Sequence, residues 1–416
     1  MKEYCLNCLP AKRRSHFDLH ADYYFEKIRN FWFAPFRFLE PKNWKNSDIV
    51  WSGLLNIFRL LGAVRFVRDP DEKEIYNRSL IIFREARKRG IEIEAIKIFG
   101  GYKNEFRYRI GGKYSYFETN PLANVWNSKA IDEKFQTKNI LAANNVPVPL
   151  GHVFTSFRKA RDYGLKLRFP LAVKPNAGSL GQHGTYPVNS KEELAAALRL
   201  AFQYRPDVMV EKFLTGTNYR ATVIGREHVF VAEKQIATVI GNGKSTIEEL
   251  IKQRNSDPRR AEIGQKNATL FKIQLSAPPS PVQGEGRVRM GQDTFGRLIK
   301  CLEKQNLNLQ SSPAAGKKIT LFSDFLPGAV DVFDLTSKTH PQNLEIFIRA
   351  AKALGADIVG FDLIAEDIAK PYDEQTFGIL EANSAPYIDM HAFPTEGPSA
   401  PIAELVWDTV IKRAEV

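Results

Sequence analysis

Two acids and an amide late in the chain have the residue types and spacing of a hard-cation site. Gly360-Phe361-Asp362-Leu363-Ile364 and Ile379-Leu380-Glu381-Ala382-Asn383-Ser384 are apolar runs that each carry oxygen ligands. Asp362 and Glu381 are 381 − 362 = 19 residues apart, with the polar loop 366–376 between them. Two strands joined by such a loop run antiparallel and set the carboxylates side by side. Asn383 follows Glu381 by two residues, so on a strand it points the same way. Two carboxylates and an amide oxygen suit Mg²⁺ shared with phosphates. The apolar flanks make two neighbouring carboxylates costly unless a metal neutralises them. On these residues alone, a surface hairpin with two acids at its strand ends fits equally well.

A second group lies upstream. Phe169-Pro170-Leu171-Ala172-Val173-Lys174 is an apolar strand ending in a lysine, and it enters Asn176-Ala177-Gly178-Ser179-Leu180-Gly181-Gln182-His183-Gly184. Glycines and a serine in a short loop let backbone N–H groups close on phosphate oxygens, and the lysine adds a point charge. The order is not the Gly-Lys-Ser/Thr of a Walker loop. Without the lysine, an ordinary hairpin loop would explain the glycines.

A third group is Asp207 to Arg220, which reads as strand, hinge, strand. A hinge exposes backbone groups that can pair with an adenine edge. Glu211 and Asn218 could hold the amino-group side and the ribose, and Arg220 a phosphate or carboxylate. A plain turn at Thr215-Gly216 fits the same residues.

The elements that must position these groups are legible to different degrees. Ile75 to Arg89 reads as a helix stopped by Gly90, Ile91 to Phe99 as a strand, and Glu105 to Glu118 as a hairpin around Gly111-Gly112. Ile49 to Val67 carries Leu54, Leu55, Phe58, Leu61 and Val64 at helical spacing. That pattern predicts a helix packed on its own core or on a subunit partner, in preference to an interfacial membrane helix. Residues 276–291, rich in Pro and Gly without periodicity, read as a flexible surface insert.

In this order the three groups resemble the ATP-grasp carboxylate–amine ligases, nearest to the ATP-grasp portion of cyanophycin synthetase and the glutathione-synthesising fusion enzymes. Further segments are similar: Ser128-Lys129-Ala130-Ile131-Asp132-Glu133-Lys134 with Pro147-Val148-Pro149, Gly241-Asn242-Gly243-Lys244-Ser245-Thr246, Asn255-Ser256-Asp257-Pro258-Arg259-Arg260, Asp331 to Thr336, His340 to Asn343, and Met390-His391. The resemblance covers roughly residues 128–416. It implies an α+β ATP-grasp fold, two α+β lobes holding ATP between them, after a small α/β lobe and an N-terminal helical extension. The implied segments are 1–70 helical, 71–128 small lobe, 129–210 small ATP-grasp lobe with the Gly-rich loop, and 211–416 C-terminal lobe with the metal site.

The resemblance also implies roles. Lys134 and Lys174 bind ATP phosphates, with Gly178, Ser179, Gly181 and Gly184 in the closing loop. Glu211 and the Lys212, Phe213 and Leu214 backbone hold adenine. Asp362, Glu381 and Asn383 hold one or two Mg²⁺, for which Mn²⁺ could substitute. Arg220 contacts the transferred phosphoryl group or an acyl phosphate, and Lys234 assists. Asn218 stands where the family has an acidic ribose ligand. Ser323 to Ala329 and Pro386-Tyr387 depart from the family on the substrate side. The implied reaction activates a carboxylate as an acyl phosphate and joins it to an amine, on an amino acid or peptide. A catalytically silent nucleotide-binding scaffold or sensor is the alternative. After Asn383 there remain 416 − 383 = 33 residues, so one ligase module is expected.

Bulk composition sets outer limits. The chain has 416 residues, 44% hydrophobic and 25% charged, enough for a multi-lobed enzyme. Three cysteines argue against a disulfide framework, and Cys5-Leu6-Asn7-Cys8 has no second pair to complete a zinc site. With no apolar leader and no uncharged span of membrane length, a cytoplasmic protein is expected. The net charge of +12 is spread along the chain, so nucleic acid is not expected as a partner. A homodimer is compatible with the apolar N-terminal helices.

Overall fold

A computed structural model of the chain describes residues 16–33, 47–123, 131–176, 183–276, 294–323 and 328–414. Cys5 and Cys8, Ser128 to Ala130, Gly178, Ser179 and Gly181, most of the 276–291 insert and residues 324–327 lie outside the described residues. Contacts divide the chain into two units, each assembled from three stretches. One is Met1–Ile57, Ala123–Thr217 and Thr339–Pro386; the other is Phe58–Leu122, Asn218–Lys338 and Tyr387–Val416.

The first unit contains a four-stranded antiparallel sheet in the order Gly151–Phe154, Val208–Lys212, Leu171–Pro175, Thr185–Val188. Helices Phe157–Leu167 and Lys191–Tyr204 pack against it. Each starts at a serine, Ser156 or Ser190, whose hydroxyl accepts from a backbone N–H of the first turn. Strand alternation sends Leu171, Val173, Val208 and Val210 into the core with Ala160, Leu194, Ala197 and Leu198. The same alternation turns Lys174 and Glu211 to the opposite face.

The first unit also holds the hairpin of Ile358–Ala365 and Phe377–Asn383, backed by helix Pro341–Ala353 through Phe347, which stacks near Phe361 and Phe377. The loop between these strands is fastened from inside. Buried Asn343 donates from Nδ2 to the carbonyls of Ile368 and Lys370, each at 2.8 Å. Helix Lys134–Ala143 belongs to the same unit.

The second unit has a four-stranded antiparallel meander, Val64–Val67, Glu92–Ile98, Gly101–Ile110 and Lys113–Glu118. Helices Asn77–Lys88 and Ile402–Ala414 belong with it, and Trp407, fully buried, donates its indole N–H to Ile82 O at 2.9 Å. The helix expected over Ile49 to Val67 is shorter than its apolar pattern suggests. It ends at Leu60, Gly62 takes φ +74, and Val64–Val67 is a strand paired with Glu92–Ile98. A left-handed glycine stops a helix, and the β-branched Val64 and Val67 suit the edge position they take. Leu55 is buried, whereas Leu54, Phe58 and Leu61 are exposed. A second meander joins Thr217–Ile224, His228–Ile236 and Val330–Asp334. Helix Ile247–Asn255, opened by a Thr246–Glu249 capping box, packs with Thr294–Glu303 over Ala237, Val239, Ile319 and Leu321. Among the described residues no helix is long and apolar enough to cross a membrane.

Candidate functional site

The acidic pair is brought together as its spacing predicts. Asp362 lies opposite Glu381, and Gly360 opposite Asn383, so Asp362, Glu381 and Asn383 share one face of the hairpin. A bulge between Asp362 and Leu363 shifts the register there. Asn383 Nδ2 donates to Asp362 Oδ2 at 3.3 Å. Lys134 Nζ reaches Glu381 Oε2 at 3.1 Å, joining a lysine expected at the phosphates to an acid expected at the metal. Two contacts fix the turn after Asn383: Ser384 donates from N and Oγ to the Asp132 carboxylate, each at 2.9 Å.

Glu211 is the centre of a second, drier group. Its side chain is 2% exposed and accepts from Lys174 Nζ at 2.7 Å and from the Nζ of Lys138. The register explains the meeting: Ala172 lies opposite Glu211, which makes Lys174 its diagonal neighbour on the same face. Lys138 comes one helical turn after Lys134, so both lysines leave one side of their helix. Burial pushes the Lys138 ammonium down to about 8, against the pull of Glu211. Burial also opposes charge on Lys174, but Glu211 more than offsets it and raises that lysine. Burial works against charge on Glu211 as well, and the two lysines overcome it, holding the carboxyl below its ordinary range. Gly151 is what lets the strands close here. A Cβ on it would lie 2.5 Å from Glu211 Cβ.

The hinge is partly committed already. Lys212 N–H donates to Leu150 O at 2.8 Å and Phe213 N–H to Pro170 O at 3.2 Å. The Lys212 ammonium turns back to the carbonyls of Arg168 and Phe169, at 3.2 and 3.1 Å. Leu214 packs so closely on Gly378 that a Cβ there would meet Leu214 Cδ1 at 2.6 Å. Of the loop residues, Gly184 is described, and a Cβ on it would sit 3.6 Å from Lys174 Cβ.

Asn218, Arg220 and Lys234 belong to the second unit. Arg220 lies opposite Ala232, and alternation puts Asn218, Arg220 and Lys234 on one face of the meander. On the same face Thr222 Oγ1 meets His391 Nε2 at 2.8 Å. Burial, with the charge of Arg220, lowers that histidine to about 3, so it is neutral.

Sequence reasoning gave Lys138 and Asp132 no role of their own, although both lie in or beside the family-like segment that begins at Ser128. The i, i+4 spacing from Lys134 could have flagged the first. Nothing local marks Asp132 as the acceptor for a residue 252 positions away.

Donor chemistry is compatible with a hard divalent cation. Asp362 and Glu381 offer carboxylate oxygens and Asn383 an amide oxygen, which leaves the rest of an octahedron to water and phosphate. Among the described residues no three His, Cys, Asp or Glu side chains cluster as a metal cage.

A family model described as the D-Ala D-Ala ligase C-terminus matches residues 152–247. The chain is 33% identical over 339 residues to the glutathione biosynthesis bifunctional protein GshAB of Clostridium perfringens, covering 79% of this chain and 40% of that protein. It is 31% identical over 339 residues to the cyanophycin synthetase of Trichormus variabilis, covering 80% and 35%. The chain thus spans two fifths or less of the length of these relatives. In three dimensions it is similar to the bifunctional glutathione synthetase of Pasteurella multocida, with a TM-score of 0.62 at 24% identity, covering 82% of this chain and 45% of that one. The chain has the α+β ATP-grasp fold and is a relative of the ATP-grasp carboxylate–amine ligases.

Proposed function

We propose that this protein is an ATP- and Mg²⁺-dependent ligase that activates a carboxylate and joins it to an amine, on an amino acid or peptide. The observation that carries this reading is the ion pair of Lys134 with Glu381, within a unit that also holds Lys174, Asp362 and Asn383. A lysine beside an acid that could hold a metal supports the reading, because phosphoryl transfer needs cations and metal-binding oxygens close together.

A carboxylate is a poor electrophile. Phosphorylation by ATP gives an acyl phosphate, the amine nitrogen attacks its carbonyl carbon, and phosphate leaves with the C–O bond electrons. Asp362, Glu381 and Asn383 would hold Mg²⁺, which supplies neutralisation of phosphate charge. Lys134 and Lys174 bind phosphate oxygens, and Gly178, Ser179, Gly181 and Gly184 line the loop. Glu211 keeps Lys174 charged and fixed in place, so its contribution to nucleotide binding is indirect. The backbone from Lys212 to Leu214 offers the adenine edge and Asn218 the ribose contact. Arg220 and Lys234 supply positive charge toward a phosphoryl group.

The test is amine-dependent ADP release with a panel of amino acids and dipeptides. Asp362→Ala and Glu381→Ala are each expected to lower turnover at least about a hundredfold while the far-UV spectrum is kept. Tight ATP binding without ADP release from any acid and amine pair would favour a nucleotide-binding scaffold instead. Turnover at the wild-type level in either variant would sink the metal assignment.

A further inference from the structure

Two motifs set apart in the sequence, 255–260 and 331–336, have no role in the chemistry proposed above, and the second unit brings them together. Asp331 Oδ1 accepts from Arg254 Nη2 and from Arg260 Nη2, both at 2.8 Å. Thr395 Oγ1 adds a longer contact to the same oxygen, at 3.4 Å. Both guanidiniums are nearly buried: the Arg254 side chain is 10% exposed and that of Arg260 4%. Their other bonds are long, Arg254 Nη2 to Gly328 O at 3.4 Å and Arg260 Nη1 to Phe271 O at 3.3 Å. Arg254 Nε and Nη1 and Arg260 Nε are buried without an acceptor.

Among the described residues, two fixed positive charges therefore share one hydrogen-bonded carboxylate. Nearby Asp257 adds a more distant negative charge to Arg254, but its hydrogen bonds go to Arg259, at 2.8 Å. Burial lowers Arg254 below the ordinary guanidinium value, and Asp331 offsets this only in part. A guanidinium nevertheless stays protonated at neutral pH. Among the described residues, these buried N–H groups lack an acceptor, and the complement of a guanidinium fork is a negative group with two oxygens in a plane. Strand alternation puts Asp331 on the face of its meander opposite to Arg220 and Lys234, so this cluster is separate from those two residues.

We propose that Arg254 and Arg260 receive a carboxylate group of an acidic substrate, in competition with Asp331 for the same two guanidiniums. The proposal rests on the ligase reading only in calling that molecule a substrate; the site itself is tested by binding. The probe is succinate, titrated calorimetrically into the full chain, with inorganic phosphate and the neutral succinamide as comparisons. Succinate should bind more tightly than phosphate, and succinamide should not bind. Arg254→Gln and Arg260→Gln should each weaken succinate at least about tenfold. Should either variant fail to fold, Asp331→Asn decides: it removes the competing carboxylate, so succinate should bind several-fold more tightly. An ion cluster with a purely structural role would give no such gain. The proposal is overturned if wild type does not bind succinate, if phosphate binds better, or if Asp331→Asn leaves affinity unchanged or weaker. ADP release is no part of the readout, so loss of the ligase reading and loss of this site would be seen separately.

Discussion

Each unit buries a cluster in which one carboxylate serves two cations, yet the two clusters leave their surplus charge to different fates. In the first unit the cations are Lys138 and Lys174 around Glu211. In the second they are Arg254 and Arg260 around Asp331. A lysine can shed its surplus by losing a proton, and burial has already moved Lys138 to about 8. An arginine cannot, so its surplus calls for an anion from outside. The lysine cluster can therefore lose its surplus as pH rises above about 8, and Glu211 keeps Lys174 charged. The arginine cluster keeps buried N–H groups without acceptors. The choice of side chain thus separates a cluster that tunes a neighbour from one that recruits a ligand.

The comparison breaks most readily at its carboxylates. Glu211→Ala leaves two buried ammoniums without a counter-charge, and the expected loss is about 3–5 kcal/mol in urea unfolding. Asp331→Asn should cost less, because the Asp331 side chain is 14% exposed against 2% for Glu211. Equal losses would show that the clusters do not differ in dryness. A smaller effect is expected one strand away. Gly151→Ala would force a Cβ to 2.5 Å from Glu211 Cβ and 2.8 Å from Val210 O. The strands must part, at a cost of about 1–3 kcal/mol. If the lysine cluster matters for phosphate, the same variant should raise KM for ATP. An unchanged KM together with lowered stability would confine Gly151 to packing.

The sequence was most informative where a period-2 pattern carried a charged residue. Lys174, Asp362, Glu381 and Asn383 could be placed because strand alternation alone fixes their faces, and the 19-residue separation of the two acids fixes the hairpin. Glu211 was singled out as a hinge residue for adenine, and its ion pairs were not foreseen: pairing with Lys138 depends on how a helix docks, which no local pattern encodes. Val64 to Val67 looked helical because apolar spacing was shared with the preceding helix, and the glycine at position 62 outweighed it. Arg254 and Asp331 are 77 residues apart, and no local pattern links them. Only the folded chain shows that they share one oxygen.

The finest test of the contrast is the pH dependence of stability. Lys138 has a folded value of about 8 against 10.5 for an exposed lysine. Between those values the unfolded chain holds a proton that the folded chain has given up, so stability should rise with pH. The slope from this one group is at most about 1.4 kcal/mol per pH unit. Lys174 is raised, so its stabilising contribution is present throughout this window and is lost only above it. Glu211 is lowered and already ionised, and it adds no slope here. Urea unfolding of wild type and Lys138→Met, compared from pH 7.5 to 10, cancels every group the two proteins share. The stability difference should move steadily in favour of wild type as pH rises. Arg254→Met, run over the same range, should show no such trend, since its guanidinium holds its proton in both states. A flat difference for Lys138→Met, or a slope for Arg254→Met, would remove the distinction between a cluster that sheds its charge and one that must be given a counter-charge.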